Sequence, residues 1–543
     1  MADNKYDVII VGGGHNGLTC GAYLARAGKK VIVLEARHIY GGGVITEEVT
    51  LPGFRHNMHS YQHTWIFMGP VYSDLELQKY GSKYIFPPSG YALLFEDGES
   101  MIGYAGDFDR TCKEIGRFSK KDEKAYRELY NFYKNFKDIY VGFLFNPPLP
   151  FSKQYSLLED TPYGREVIRT QMVTMEDIVD EYFEHDRVKT FFCFMGGQSG
   201  MDHITIGGGA IFMAMTVEWI LTGSGCSVGG SQSLSDAIVR ALEAYGGEVR
   251  LNCKVKKFIV EKNEVKGVEV EDGSKVYADT VVTNLNPRLT FGEMIDQDIL
   301  TDDVIKVSKR WKREEGTLFT IHLALDEAPK WIAKNPDFAR TCYVFGIGVE
   351  TMEQLTSQIL DIKRGVPPKD LGYITAVPSV FDPSYAPPGK HTFLGSQFAG
   401  YMLKEGPEKW DELKEEYGDK MVQFFQKFAP NITSDKILGR YYDTPIDIER
   451  RNPSMYQGSM SSGAYTPDQM GVFRCLPGYP TAKTPIKGLY RSGPSSHPGG
   501  GCSGGAGYIA ANVIAEDMGI TKWWKTPAYF GGRPVDIEMG KNI

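Results

Sequence analysis

The feature that most constrains the fold is a glycine cluster near the N-terminus, in the segment YDVIIVGGGHNGLTCGAYLARAGKKVIVLEAR (residues 6–37). Residues 6–11 and 30–35 are β-branched apolar runs, which are typical of buried parallel strands. Between them, residues 15–27 carry small and apolar side chains at helical spacing and end at Gly28, a residue type that commonly follows a helix. The sequence therefore predicts a β-α-β unit with glycines in its first turn.

The glycines of this turn have the spacing Gly12-x-Gly14-x-x-Gly17. In a strand-turn-helix context, the first makes the tight turn, the second lets backbone approach a pyrophosphate, and the third lets helix and sheet pack closely. The N–H groups and partial positive charge at the helix start would hold the phosphates. We therefore predict a dinucleotide site that includes His15 and Asn16, with a ligand-free glycine turn as the alternative.

An acid follows at the end of the second predicted strand. Glu35 lies 18 residues beyond Gly17, where a carboxylate can accept hydrogen bonds from both hydroxyls of an adenosine ribose. A 2′-phosphate would be repelled there, since both groups are negative. We place Ala36 and Arg37 in the same predicted site, and NAD and FAD both remain open at this point.

A second glycine cluster, Gly41, Gly42 and Gly43, follows in ARHIYGGGVITEE. A plain NAD site has no counterpart for this extension. It resembles the fingerprint of the superfamily of FAD-dependent amine oxidases and phytoene desaturases. The resemblance implies that the cofactor is FAD.

The resemblance extends to residues 229–273, which look like the central segment of the FAD domain, and to residues 492–517, which look like the C-terminal flavin motif of phytoene desaturases and carotenoid isomerases. The stretches GHNGL, TEEVTLPGF and TPIDIE most resemble the phytoene dehydrogenase-like branch. Many relatives have an acid where this chain has Pro494, but a backbone contact from Gly493 could serve the same cofactor. The residues that the resemblance places at the cofactor are Val255, Gly493, Pro494, Gly500, Gly501 and Cys502.

The glycine-dense loop HPGGGCSGG precedes a helix of small residues. The unpaired N–H groups at the start of that helix can face an acceptor that becomes negative, such as the N1 and C2 carbonyl region of a reduced flavin. Cys502 in this loop leaves open whether the flavin is covalently attached.

The fold class that we expect is α/β, or α+β overall. At 543 residues the chain exceeds the size of a single hydrophobic core, so more than one domain is expected. We predict a Rossmann-type FAD-binding domain and a discontinuous, mixed α/β substrate domain with a helical insert. The predicted FAD-binding segments are 1–60, 225–290 and 485–520, the substrate-domain segments are 61–224 and 291–484, and the C-terminal arm is 521–543.

Candidate catalytic residues come from PGFRHNMHSYQHTW, residues 52–65, where relatives run beside the flavin ring. Three of the ten histidines fall in this stretch. Histidine is the side chain best suited to exchange a proton near neutral pH, and a tyrosine hydroxyl can donate to an oxygenated substrate. The candidates are His59, then His63, and Tyr61, with His56, His203 and His497 as further histidines. For each histidine, simple packing is the alternative.

The resemblance and the motifs together indicate an FAD-dependent oxidoreductase that desaturates or saturates a carbon–carbon bond in an apolar, cyclic or polyene molecule. Alternatives are a redox-neutral isomerase or hydratase-like enzyme, and a flavin-binding interaction protein without turnover. We find no second GxGxxG motif after a strand and no CxxC pair, so electrons should pass between the single flavin and a diffusing quinone, oxygen or redox protein.

Composition excludes several classes of protein. A net charge of −8 offers no basic surface for nucleic acid. The eight cysteines have neither disulfide-framework nor zinc-site spacing, so we expect no metal. The N-terminus lacks the features of a secretory signal, from which we expect a cytoplasmic location.

Two apolar stretches have several interpretations. Residues 208–222 are too short for a comfortable bilayer span and contain Glu218, which favours a buried helix that could also line an apolar cavity. The tail TKWWKTPAYFGG, residues 521–532, suits a packed C-terminal arm, a contact in a homo-oligomer, or peripheral contact with a membrane.

Overall fold

A computed structural model describes residues 5–134, 136–214, 223–474, 476 and 478–527. The strands are β1 (Val8–Val11), β2 (Val31–Leu34), β3 (Thr46–Glu47), β4 (His56–Asn57), β5 (Tyr84–Ile85), β6 (Ser89–Leu94), β7 (Ser100–Tyr104), β8 (Cys226–Ser227), β9 (Glu248–Arg250), β10 (Val255–Glu261), β11 (Glu264–Val270), β12 (Lys275–Tyr277), β13 (Val281–Thr283), β14 (Gly316–Leu325), β15 (Val344–Ile347), β16 (Tyr373–Ala376), β17 (His391–Gly400), β18 (Ile437–Asp443) and β19 (Leu489–Arg491).

The helices are α1 (His15–Arg26), α2 (Val71–Asp74), α3 (Phe108–Phe118), α4 (Lys120–Tyr133), α5 (Phe136–Phe145), α6 (Phe151–Glu159), α7 (Pro162–Thr170), α8 (Met175–Tyr182), α9 (Asp186–Gly197), α10 (described over 208–214), α11 (Gln232–Ala244), α12 (Asp302–Arg310), α13 (Phe338–Thr341), α14 (Met352–Lys363), α15 (Lys409–Phe428), α16 (Pro445–Arg451) and α17 (Gly505–Asp517). Short 3-10 turns connect many of them.

The first sheet is parallel, with the strand order β19-β13-β1-β2-β9. Its central strand, β1, is buried along its whole length because both faces are covered. Val8 and Ile10 pack into the core that contains residues of α1, α11 and α17, whereas Ile9 and Val11 pack toward the antiparallel sheet β10-β11-β12. The predicted β-α-β unit is confirmed, and with it the α/β fold class.

This parallel sheet is assembled from distant parts of the chain. Strands β1 and β2 come from the N-terminus, β9 and β13 from the middle, and β19 from the C-terminal region. Parallel neighbouring strands are joined by crossover connections, and here most of the other helices and strands lie within those connections. The exact domain boundaries given above stay a prediction.

The second large sheet has seven strands in the order β18-β14-β17-β16-β15-β6-β7. Its longest pairing joins β14 to β17 over ten residues, and β15 pairs with β6 in parallel. One face packs on α15, where Trp410 and Phe425 are fully buried, and the other packs on helices that precede β8. The sheet is therefore covered by helices on both faces.

Helices fill much of the described chain between β7 and β8 and between β17 and β18. The charge-rich residues after β7 form α3 and α4, and those after β17 form α15. The apolar stretch 208–222 begins as α10, but residues 215–222 lie outside the described part. Within the ranges that the structure describes, no helix has both the length and the apolar character needed to cross a bilayer.

The two tryptophans of the C-terminal tail pack against the protein. Trp523 stacks on Tyr23 at 5.2 Å between ring centroids, and the guanidinium of Arg26 lies 4.0 Å from the Trp523 ring. Trp524 is buried and its Nε1 donates to the Asn512 side chain at 3.1 Å. Up to residue 527 the tail is a packed arm; residues 528–543 lie outside the described part, and membrane or oligomer contact stays a prediction.

Candidate cofactor and active site

The turn between β1 and α1 brings backbone atoms unusually close together. Gly12 has φ +97°, which favours glycine, and a Cβ on Gly17 would lie 2.5 Å from the Gly12 carbonyl oxygen. A Cβ on Gly14 would lie 2.7 Å from Nδ2 of Asn284, the residue after β13. The motif glycines are therefore needed so that α1 can pack closely on β1. The start of α1 remains open for a ligand.

Glu35 lies directly after β2 and holds the neighbouring backbone. Its carboxylate accepts hydrogen bonds from the N–H groups of Gly13 at 2.7 Å and Arg37 at 2.8 Å. Burial raises the pKa of Glu35, while the N–H groups of Arg37, Gly13 and Ala36 oppose the rise. A carboxylate offers about four acceptor sites, so sites remain for ribose hydroxyls.

Val255 begins β10 beside this acid. The backbone N–H of Cys253 donates to the Glu35 carbonyl at 2.8 Å, and that of Asn252 donates to the Arg37 carbonyl at 2.9 Å. The segment leading into Val255 is therefore bonded to the predicted adenosine end of the site. The contact of Val255 with the cofactor stays a prediction.

The second glycine cluster lies against the first. Gly41 has φ +119° and Gly42 φ +63°, and a Cβ on Gly42 would lie 3.1 Å from the Gly14 Cα. Gly43 differs from both, because a Cβ there would meet no atom within 4 Å. The positive φ angles of Gly41 and Gly42 thus require glycine at both positions, whereas Gly43 borders open space.

The open space beside Gly43 is a central cavity of about 210 Å³. It brings together the first glycine motif, the histidine-containing segment, the end of α9, the 455–465 segment and the C-terminal glycine loop. The residues that line it are His15, Gly43, Val44, His59, Ser60, Tyr61, Gln62, Thr64, Trp65, Tyr91, Gln198, Ser199, Leu318, Met455, Met460, Ser461, Tyr465, Gly501 and Cys502.

The C-terminal loop and α17 pack directly on the N-terminal motif. His15 donates from Nε2 to the Gly501 carbonyl at 3.0 Å, and a Cβ on Gly501 would lie 1.9 Å from the Trp65 ring. A Cβ on Gly507 in α17 would lie 2.0 Å from the Asn16 carbonyl oxygen. Glycine at these positions lets two helix starts, α1 and α17, approach the same cavity.

Unpaired donors at this junction fit an oxygen-rich ligand. The Nδ2 of Asn16 and the Nε1 of Trp65 are buried and have no hydrogen-bond partner among the described residues. A buried N–H without an acceptor is costly, so such groups commonly mark a ligand contact. Together with two helix N-termini and the free space at Gly43, they fit the phosphates and ring carbonyls of FAD.

His59 lines the central cavity and is held by a buried ion pair. Arg451, the last residue of α16, donates from Nη2 to His59 Nε2 at 3.2 Å and binds the Asp443 carboxylate at 2.9 and 2.5 Å. Burial and then the Arg451 charge hold the pKa of His59 well below its usual value. His59 is therefore neutral at pH 7, with its proton on Nδ1, and its catalytic role stays a prediction.

Tyr61 and His63 have different positions. Tyr61 lines the cavity, and burial raises the pKa of its hydroxyl, which therefore stays protonated. His63 is not among the cavity-lining residues of the described chain; its Nδ1 lies 2.6 Å from the Tyr84 hydroxyl. Burial lowers the pKa of His63 to about 3. The structure thus brings Tyr61, and not His63, to the cavity surface.

The three remaining candidate histidines do not line the central cavity in the described structure. His56 is bonded to Thr50, and His203 lies at a second cavity of about 380 Å³. His497 donates to the carbonyl of Phe143 at 2.8 Å. Each of these side chains has a structural partner.

Cys502 lies at the cavity surface beside Ser60, with Sγ and Oγ 3.0 Å apart. Burial raises the pKa of the Cys502 thiol to about 11. The thiol is therefore protonated at neutral pH, which makes it a weak nucleophile. Covalent attachment of a flavin stays an open prediction.

Several site residues were missed from the sequence. Arg451 follows TPIDIE closely, in a helix that begins with a Thr444–Asp447 capping box, so its helix could have been found but not its contact with His59. Gln198 and Ser199 follow the end of α9, and no local pattern indicates that they face the cavity.

Comparisons with known proteins agree with this geometry. The sequence matches the family of flavin containing amine oxidoreductases over residues 17–441. It is 32% identical over 537 residues to a limonene dehydrogenase chain of Castellaniella defragrans, covering 96% of each chain. It is 24% identical to the lycopene-forming phytoene desaturase of Pantoea ananas, covering 94% of this chain and 99% of that protein.

A solved structure, an oxidoreductase from Methanosarcina mazei, matches the fold with a TM-score of 0.63 at 16% sequence identity. The match covers 94% of this chain and 100% of that one. At this identity the likeness concerns the fold alone.

Proposed function

This chain belongs to the flavin containing amine oxidoreductase family and is an FAD-dependent oxidoreductase, and from that premise we propose that it adds or removes hydrogen across a carbon–carbon bond of an apolar cyclic or polyene molecule. The observation that carries the proposal is the lack of charged side chains among the described residues that line the central cavity. Among its described lining residues there is no Asp, Glu, Lys or Arg, and His15 and His59 are neutral because burial lowers the pKa of each. An ammonium substrate would find no counter-charge there.

The walls of the cavity suit a hydrocarbon. Leu318 of β14 clusters with Met455 and Met460, which follow α16, and Tyr91 and Trp65 add aromatic surface. Methionine side chains adapt to irregular apolar shapes. A substrate without polar groups would be oriented by this shape and by exclusion of water.

Bound FAD supplies the hydride acceptor or donor for such a reaction. The protein's part is to hold a C–H bond in place and to manage one proton. His59 is fixed in one tautomer by Arg451, and the Tyr61 hydroxyl stays protonated. Both lie on the cavity wall and both carry a proton, so they are the candidates to give that proton, from His59 Nδ1 or from the Tyr61 hydroxyl.

The names of two relatives support this substrate class. Limonene and phytoene, the compounds in those names, are hydrocarbons, one cyclic and one a polyene. We extend the class to this chain as part of the proposal. The electron partner that we propose is a diffusing quinone, oxygen or redox protein.

The experiment is anaerobic mixing of the FAD-loaded protein with limonene, phytoene and an aliphatic amine. We expect a hydrocarbon to bleach the oxidised flavin absorbance and to yield a product lighter by two hydrogens, or photoreduced protein to yield one heavier by two. Bleaching by the amine alone would refute the proposal. A product of unchanged mass would instead indicate that the protein is a redox-neutral isomerase.

A matched pair of variants tests whether the substrate binds in the central cavity. Leu318→Asp places a charge on the apolar wall and should abolish hydrocarbon turnover while FAD remains bound, whereas Leu318→Met should retain turnover. Equal turnover in both variants would place the substrate elsewhere. Mixing the photoreduced protein with quinones, oxygen and redox proteins then identifies the acceptor by its reoxidation rate.

A further inference from the structure

Two buried charges of opposite sign lie on either side of the segment 459–465, which contributes to the central cavity. The guanidinium of Arg474 is fully buried and donates to the Ser461 carbonyl at 2.7 Å. The carboxylate of Glu314, 4% exposed, accepts from the Ser461 N–H at 3.0 Å and from the Ser459 hydroxyl at 2.5 Å. Ser461 therefore bridges a cation and an anion through its own backbone.

Besides the Ser461 carbonyl, Arg474 donates to several other backbone carbonyls. It donates to the carbonyls of Ala464 at 3.1 Å, Gly463 at 3.3 Å and Pro494 at 2.8 and 3.1 Å. Its guanidinium also lies 5.0 Å from the Tyr465 ring centroid. The guanidinium stays protonated in proteins, and in this low-dielectric surrounding the field of its positive charge is weakly screened.

The cation lies directly behind the C-terminal glycine loop. Pro494, whose carbonyl it holds, is in that loop, and a Cβ on Gly499 would lie 3.3 Å from the Arg474 Nε. Ser461 reaches the same loop, since a Cβ on Gly500 would lie 2.9 Å from its Cα. The charge also acts across the loop, because burial lowers the pKa of His497 and Arg474 lowers it further.

We propose that Arg474 and Glu314 are opposing positioning charges that set the reduction potential of the bound flavin, Arg474 raising it and Glu314 lowering it. A flavin that takes up two electrons gains negative charge in its N1 and C2 carbonyl region, and a nearby fixed charge tunes its electronics. A cation behind the loop stabilises the reduced form, and a carboxylate destabilises it. Neither residue lines the central cavity in the described structure, so both act through Ser461 and the glycine loop.

The test is the midpoint potential of the FAD-loaded protein, measured by anaerobic reduction against a reference dye. Arg474→Met should make the potential more negative, and Glu314→Gln, which keeps an acceptor for Ser461, should make it less negative. Arg474→Lys retains the charge and should stay close to the unmodified protein. Arg340→Met, which removes a side chain that is 81% exposed, is the control and should change nothing.

A second readout is the pKa of the reduced flavin, followed by its near-ultraviolet absorbance. It should rise in Arg474→Met and fall in Glu314→Gln, because each change alters the stability of the anionic form. Shifts of both variants in the same direction, or unchanged values with FAD fully bound, would overturn the proposal. If Arg474→Met does not fold, Glu314→Gln decides the question by the sign of its own shift.

Discussion

Acid should destabilise this protein because several histidines are buried in the neutral form, and His56 allows the effect to be calculated. His56 is 2% exposed, its Nε2 lies 2.8 Å from the Thr50 hydroxyl, and its ring packs at 5.2 Å on that of His322. Burial lowers the pKa of His56 to about 3, whereas an unfolded histidine has a pKa of about 6.5.

The direction and the size of the pH effect on stability follow from the difference between these two pKa values. Between pH 6.5 and about 3, the unfolded chain binds a proton at His56 and the folded protein does not, so the free energy of unfolding falls as the pH falls. Above pH 6.5 His56 is neutral in both the folded and the unfolded state, so no stability is lost through this residue. Each pH unit below that costs about 1.4 kcal/mol, so lowering the pH from 7 to 5 should cost about 2 kcal/mol through His56 alone.

The variant His56→Gln retains a polar partner for Thr50 but does not titrate. Urea unfolding of the cofactor-free protein, followed by tryptophan fluorescence at pH 7 and pH 5, should show a pH-dependent loss smaller by about 2 kcal/mol than in the unmodified protein. The control His38→Gln, at a side chain 70% exposed, should keep the original dependence. An unchanged pH dependence in His56→Gln would refute the reasoning.

Three further predictions concern glycine packing and the core. Gly17→Ala, whose Cβ would lie 2.5 Å from the Gly12 carbonyl oxygen, should destabilise the protein by about 1–3 kcal/mol in thermal unfolding. Gly43→Ala, which meets no atom within 4 Å, should keep the melting temperature but weaken FAD binding in a flavin-fluorescence titration; unchanged affinity would contradict a cofactor at this cavity. Trp410→Ala removes a fully buried ring that also donates to the Gly400 carbonyl at 2.9 Å, and urea unfolding should show a loss of about 3–5 kcal/mol.

The parts of this protein that could be predicted from its sequence are local. The strand, glycine turn and helix of residues 8–26 depend on side-chain periodicity and on backbone angles that glycine alone adopts easily, and both are determined by near neighbours. The identity of the cofactor came from the resemblance of the glycine motifs to those of a known family. The position of Glu35 directly after β2 could be predicted for the same reason, since its spacing from Gly17 follows from one helix and one strand.

The tertiary structure alone decided which distant side chains meet. His59 and Arg451 are 392 residues apart, and Glu314 lies 147 residues from its partner Ser461. His63 could not be distinguished in advance from Tyr61, because residues 59–63 have no regular period that assigns side chains to one face. Such contacts depend on how the two large sheets and their helices pack around one cavity, and no short stretch of sequence contains that information.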